Sequence, residues 1–217
     1  MPRLIIVGSN KGGVGKSTVA RALNDYFKKN SRLVDSEDKV PGGVLKRFFP
    51  STTELINLND TDGQMQVFDG LKGAPLTIID AKAGLLTSLL ETMDTIGFLA
   101  KARAGQLDLV IMHVTDGSVA SLDEISQVHA AVNGAAKYVV VRNHINDKSF
   151  VNWSSSTPGT IIDVPKLAEK VSEVVDASNM PFSDFELDAT RSETQRGYVQ
   201  SWRAKVNAAF DAAGLGG

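Results

Sequence analysis

Two hydrophobic rhythms alternate along the chain. Short continuous apolar runs that end in turn residues fit strands buried on both faces of a parallel sheet. Longer stretches with apolar residues three and four apart fit helices with one buried stripe. "RLIIVGS" (3–9) is the first run. A glycine-rich turn follows, then 16–29, where Val19, Leu23 and Phe27 recur at helical spacing and Lys28 and Lys29 place positive charge at a helix C-terminus. "SRLVD" (31–35) is a short second strand ending at Asp35. The stretch 36–73 has no strong period; its "PGG" and "NLNDTDG" turns predict one or two short helices and a movable surface. Strands are expected again in 74–84, ending at Asp80, and in 107–117, 136–143 and 159–165. Helices are expected over 85–104, 119–134 with Asn133 and Gly134 as the C-cap, 165–178 and 192–214. Strands alternating with helices predict α/β: one three-layer domain over 1–217, with a mostly parallel twisted sheet and helices on both faces.

Composition changes the picture by exclusion. Of 217 residues, 42% are hydrophobic and 22% charged, enough for a core and against long disorder. No uninterrupted apolar run approaches the length of a membrane span. The start reads as a strand rather than a signal peptide. Without cysteine the chain has no disulfide framework and no cysteine-held zinc or iron–sulfur site. A cytoplasmic location is expected. The net charge of −2 gives no global basic field for nucleic acid.

The candidate chemistry begins at "NKGGVGKST" (10–18), between the first strand and the first helix. Glycines there let backbone N–H groups converge on phosphate oxygens at a positive helix N-terminus. Gly12, Gly13, Val14, Gly15, Lys16, Ser17 and Thr18 form the expected nucleotide loop. Lys16 would reach the β- and γ-phosphates, and Ser17 would offer its hydroxyl to Mg²⁺. The strict G-x-x-x-x-G-K-[ST] pattern fails at one position, where Asn10 stands for glycine. Lys11 is a second lysine in a loop that needs only one.

K-G-G-x-G-K-[ST] resembles the deviant Walker A box of the ParA/MinD family, within the wider P-loop group that holds nitrogenase iron protein and signal-recognition GTPases. The resemblance implies ATP or ADP with Mg²⁺ as ligands, slow hydrolysis, and an ATP-dependent homodimer in which Lys11 contacts the partner subunit's phosphates. "LVDSED" (33–38) resembles the family's D-x-D at switch I, with Asp35 near the metal and Glu37 in place of the second aspartate, one methylene longer. "LTIIDAKAG" (76–84) resembles Walker B and switch II, with Asp80 toward Mg²⁺ and Lys82 and Ala83 where proline is common. Asn143 matches the family's base-reading asparagine, and without an N-K-x-D motif adenine is favoured over guanine. The resemblance thus assigns catalysis to Lys11, Lys16, Asp35, Glu37 and Asp80, and metal binding to Ser17, Asp35 and Asp80. Nitrogenase-like reductases are excluded for want of cysteine.

The family also implies a protein that stimulates hydrolysis and a surface on which the switch acts. Nonspecific DNA would meet Arg191, Arg196, Arg203 and Lys205, which are interleaved with acids. A membrane would meet the stripe Trp202, Val206, Ala209 and Phe210, which fits core packing better. His113, His129 and His144 lack metal-ligand spacing, and Trp153 reads as an anchoring aromatic. Expected functions are plasmid or chromosome partition, conjugation or cargo positioning. The alternatives are a dethiobiotin-synthetase-like ligase and a nucleotide-binding interaction module with little hydrolysis.

Overall fold

The computed structural model describes residues 1–28, 30–37, 43–145, 150 and 153–216. In chain order the elements are β1 (Arg3–Gly8), α1 (Lys16–Tyr26), β2 (Arg32–Asp35), α2 (Val44–Phe48), β3 (Thr53–Leu55), α3 (Thr61–Asp69), β4 (Leu76–Asp80), α4 (Leu86–Thr95), α5 (Phe98–Arg103), β5 (Asp108–Thr115), α6 (Val119–Val132), β6 (Lys137–Asn143), β7 (Thr160–Val164), α7 (Glu169–Ser178), α8 (Phe182–Leu187) and α9 (Glu193–Ala212). The strands form one sheet in the order β3-β2-β4-β1-β5-β6-β7, with every pairing parallel. This is a three-layer α/β arrangement, a parallel sheet with helices on both faces.

Strand alternation decides which helices cover which face. Ile5 and Val7 of β1, with Val110 and Met112 of β5, face α1, α2, α7, α8 and α9. Leu4 and Ile6, with Leu109 and Ile111, face α3, α4, α5 and α6. Both faces of the central strands are buried, which is why those strands read as unbroken apolar runs.

Four expectations are corrected. The stretch 85–104 is two helices, because the chain turns through Ile96 and through Gly97 at φ 79. β3 forms in 36–73, recruited by pairing with β2, where local sequence showed no strand. α8 is a further short helix, fixed by burial of Phe182 and Phe185. α7 starts at Glu169 rather than 165, and the Pro165 carbonyl instead accepts a 2.6 Å bond from Trp202 Nε1. Lys29, expected at the end of the first helix, lies outside the described residues.

The C-terminal stripe faces inward. Trp202, Val206 and Phe210 are buried in the core and Ala209 packs against it. Among the described residues no helix is long and apolar enough to cross a membrane. Phe210→Ala should therefore cost about 3–5 kcal/mol. The check is urea unfolding, with a lower midpoint at unchanged slope; a midpoint within error of wild type would mean that α9 does not close the core.

Candidate functional site

A parallel sheet brings the carboxyl ends of its strands to one edge, and ligands of open α/β sheets bind there. Here that edge gathers the loop after β1, Asp35 at the end of β2, Asp80 at the end of β4, Asp116 just past β5 and Asn143 at the end of β6.

The loop is anchored at several points. Val14 buries its side chain in the core, so only its backbone remains for a nucleotide. The Val14 carbonyl accepts a 2.9 Å bond from Asn143 Nδ2. Gly15 lies at φ 85, and an added Cβ would stand 2.2 Å from Asn143 Nδ2, so the site needs glycine twice over. Lys16 begins α1, and its ammonium donates to the Lys11 carbonyl at 2.9 Å, inside the curve of the loop. Burial lowers the Lys16 pKa, while Asp80 and Glu124 pull it back up. No acid stands in the first turn of α1, which leaves its N-terminal dipole for an anion.

Asn10 has its own attachments. Its backbone N–H donates to Glu124 Oε1 at 2.7 Å, and its side-chain amide donates to Thr87 Oγ1 at 2.7 Å. The residue that breaks the strict motif therefore ties the loop to α4 and α6. Behind it, His113 is fully buried, with Nδ1 2.5 Å from the Tyr138 hydroxyl and Nε2 3.5 Å from Glu124 Oε1. His129 packs its ring on Tyr138, and His144 lies 2.8 Å from Asp163.

The acids are paired by register. Asp35 stands directly opposite Asp80 on adjacent strands. Burial pushes Asp80 up to about 7, and Asp35 adds to the rise, while Ser17 and Lys16 oppose it. Burial also raises Asp35, against hydrogen bonds from the backbone N–H groups of Glu37, Leu45 and Lys46. Asp35 thus caps α2, with Leu45 N at 2.8 Å from Oδ2. Half-buried Glu37 follows it; Asp38 lies outside the described residues. Ser36 bridges the two strands by donating to the Asp80 carbonyl at 3.1 Å and accepting from Lys82 N at 2.7 Å.

These donors suit Mg²⁺. The Ser17 hydroxyl hydrogen-bonds Asp80, Lys16 lies close to Asp80, and buried Asp35 stands beside it with, among the described residues, backbone N–H donors only. Hard oxygen ligands short of positive charge fit a cation that takes its remaining ligands from phosphates and water. Among the described residues no cluster of three or more Asp, Glu or His could hold a metal without such help.

Beside Asn143 opens a cavity of about 130 Å³ lined by Thr18, Ile145, Pro165, Leu167 and Trp202, among others. Under it Arg21 is buried between the rings of Phe48 and Phe182, at 3.3 and 4.3 Å, and pairs with Asp176 at 2.8 Å.

Lys11 is held within its own chain. Its ammonium lies 2.7 Å from Asp116 Oδ2 and 2.8 Å from Ser118 Oγ. Burial would raise the Asp116 pKa, but Lys11, Ser118 and Ser121 together hold it well below the usual carboxylate range. Sequence reading missed Asp116, Glu124 and Thr87. For Asp116 the available signal was its place: an acid at the carboxyl end of a central strand.

Two of the basic residues expected to meet DNA are engaged: Arg191 pairs with Asp188 at 3.1 Å and Arg203 with Glu186. Trp153 is half-buried against Phe150 and Arg142.

No family model matches the chain. It is 27% identical to protein MobD of Acidithiobacillus ferrooxidans, over 83% of this chain and 85% of that protein. Its fold is shared with the septum site-determining protein MinD of Pyrococcus horikoshii OT3, solved with Mg-ADP, at a TM-score of 0.62 and 14% identity over 99% of this chain and 98% of that one. A protein of Borrelia burgdorferi B31 described as a plasmid partition protein, bound to AMPPNP, matches at a TM-score of 0.57 and 13% identity over 98% and 99%. A variant of McdA from Cyanothece in complex with ATP matches at 0.55 and 15% identity over 100% and 98%. At these identities the likeness to the solved structures is one of fold.

The shifted Asp80 predicts a pH dependence. The folded chain keeps that proton to about pH 7, the unfolded chain only to the ordinary value of 3.8. Between those values folding takes up a proton, so ligand-free stability falls as pH rises and levels off above about pH 7. Asp80→Asn removes this cost. In chelator-treated protein its gain in Tm should grow from about pH 4 to about pH 7 and then stay constant. A gain independent of pH would show that Asp80 is not the group responsible.

Proposed function

We propose that this chain is a ParA/MinD-type switch ATPase that binds ATP and ADP with Mg²⁺, hydrolyses ATP slowly and dimerises on ATP. One observation carries the reading: in a glycine-rich loop that also holds Lys11, Lys16 meets buried Asp80, which the Ser17 hydroxyl bonds and which stands opposite Asp35 at the carboxyl edge of the sheet. The shared fold with structures holding Mg-ADP, AMPPNP and ATP supports nucleotide and divalent metal as ligands here. Bound Mg²⁺ would neutralise charge on the β- and γ-phosphates. Lys16, the loop N–H groups and the α1 dipole bind those phosphates, and Asn143, with its amide committed to Val14, keeps its oxygen for an adenine amino group. Glu37 would orient the attacking water from the segment after β2. Lys11 would answer the charge of the partner's nucleotide, a role like that of a trans arginine finger. Partition, conjugation or cargo positioning, with a stimulating protein partner, is the process class this reading supports. Lys11 separates it from a dethiobiotin-synthetase-like ligase, which has no use for a second lysine here. A membrane surface is the less supported one, because the α9 stripe is buried in the core; nonspecific DNA would have to be met with Arg191 and Arg203 already paired.

Calorimetry tests the cis site. Lys16→Ala should lose ATP binding by about a hundredfold or more, while Asp80→Ala should keep most of the affinity and lose its Mg²⁺ dependence. Tight ATP binding by Lys16→Ala would overturn the phosphate assignment.

Turnover tests the switch. Intrinsic hydrolysis should fall well below the roughly 10 s⁻¹ typical of enzymes. Glu37→Ala should slow it further with ATP binding intact, and Lys11→Ala should bind ATP yet fail to dimerise, as read by light scattering with a non-hydrolysable analogue. A wild type that binds ATP but stays monomeric at high concentration would favour the interaction-module reading.

A further inference from the structure

Lys11 is held by a site built for it. Asp116 is nearly buried, with 8% of its side chain exposed, and one of its oxygens is already committed. Oδ1 accepts from the Ser118 backbone N–H at 3.2 Å and from the Ser121 hydroxyl at 3.1 Å. Oδ2 is left for the ammonium at 2.7 Å, and Ser118 Oγ completes the grip at 2.8 Å. The loop thus fixes the carboxylate independently of the lysine. Its location follows from the sheet: β5 pairs with β1 through Gly8 and His113, so the chain leaving β5 meets the loop leaving β1.

An ammonium held on this carboxylate is not available to a phosphate on another subunit. We propose that Asp116, with Ser118, is a resting cradle for Lys11, which holds the lysine in the isolated subunit and releases it to the triphosphate of a partner copy. The proposal rests on the switch reading above and adds Asp116 as a positioning residue that acts through Lys11. A second copy carrying ATP brings a triphosphate whose charge exceeds that of one carboxylate, so the lysine can exchange partners. After the γ-phosphate leaves, the cradle competes again and favours separation. A symmetric dimer opens two cradles, so the cost of release enters the assembly equilibrium twice.

The test uses the full chain with Mg²⁺ and a non-hydrolysable ATP analogue. Asp116→Asn keeps the shape of the loop and removes the charge. For a half-exposed pair, release is worth about threefold to fivefold per subunit, so the dimer dissociation constant should fall by about tenfold to twenty-five-fold in sedimentation. Ser118→Ala should shift it in the same direction by less, and Asp116→Glu should restore it toward wild type. A second readout needs no dimer: amine acetylation of nucleotide-free monomer, followed by mass spectrometry. Labelling of Lys11 relative to exposed Lys205 should rise severalfold in Asp116→Asn. Tighter assembly together with raised Lys11 labelling supports the cradle. Assembly at or above the wild-type constant, or unchanged labelling, overturns it and leaves the switch reading standing. If neither protein assembles with ATP bound, the switch reading falls and release to a partner falls with it. Should Asp116→Asn melt early, the Ser118→Ala pair of measurements decides by the same signs.

Discussion

Two carboxylates side by side on neighbouring parallel strands are the constraint from which this site follows. The register that pairs β2 with β4 sets Asp35 against Asp80 in a buried edge. Two such charges are both costly away from water, so both carry raised pKa values and both look for positive charge or hydrogen-bond donors. For Asp80, Lys16 answers from the loop and the Ser17 hydroxyl from α1; for Asp35, backbone N–H groups of Glu37 and of the first turn of α2 answer. A cation with phosphate ligands would complete what the protein leaves partly unbalanced.

Connections between segments matter as much as the charges. Ser36 joins the strand end carrying Asp80 to the segment after Asp35, so the two segments share a hydroxyl. Asn10 joins the glycine-rich loop to α4, the helix that follows β4. Asn143 joins the same loop to the cavity beside it. A change at one of these points has a bonded route to the others, through single hydrogen bonds rather than through wholesale repacking.

Most of the scaffold was legible in the chain because its strands are buried on both faces and its helices on one. The runs at 3–9 and 107–117 and the stripe on α9 could be read from periodicity. β3 could not, because a three-residue strand exists only by pairing with β2. The break at Gly97 was hidden inside a long apolar stretch whose period alone looked helical. For the site, motif spacing pointed to Lys11, Lys16, Ser17, Asp35, Asp80 and Asn143, and the structure brings these to one edge. It does not show Lys11 turned outward. The grip of Asp116 was illegible because it depends on β5 lying beside β1, a long-range fact that no local pattern carries. Glu124 and Thr87 were hidden for the same reason: each acts by touching Asn10 from another part of the chain.

The bond from Trp202 to the Pro165 carbonyl has an optical consequence. It seats one of the chain's two tryptophans in the wall of the cavity beside Asn143, while the other, Trp153, lies on Phe150 and Arg142. An indole whose N–H is tied to the wall of that cavity senses any change in its polarity or water content. The chain therefore carries an intrinsic fluorophore beside the cavity, and its emission distinguishes a filled cavity from an empty one without a label.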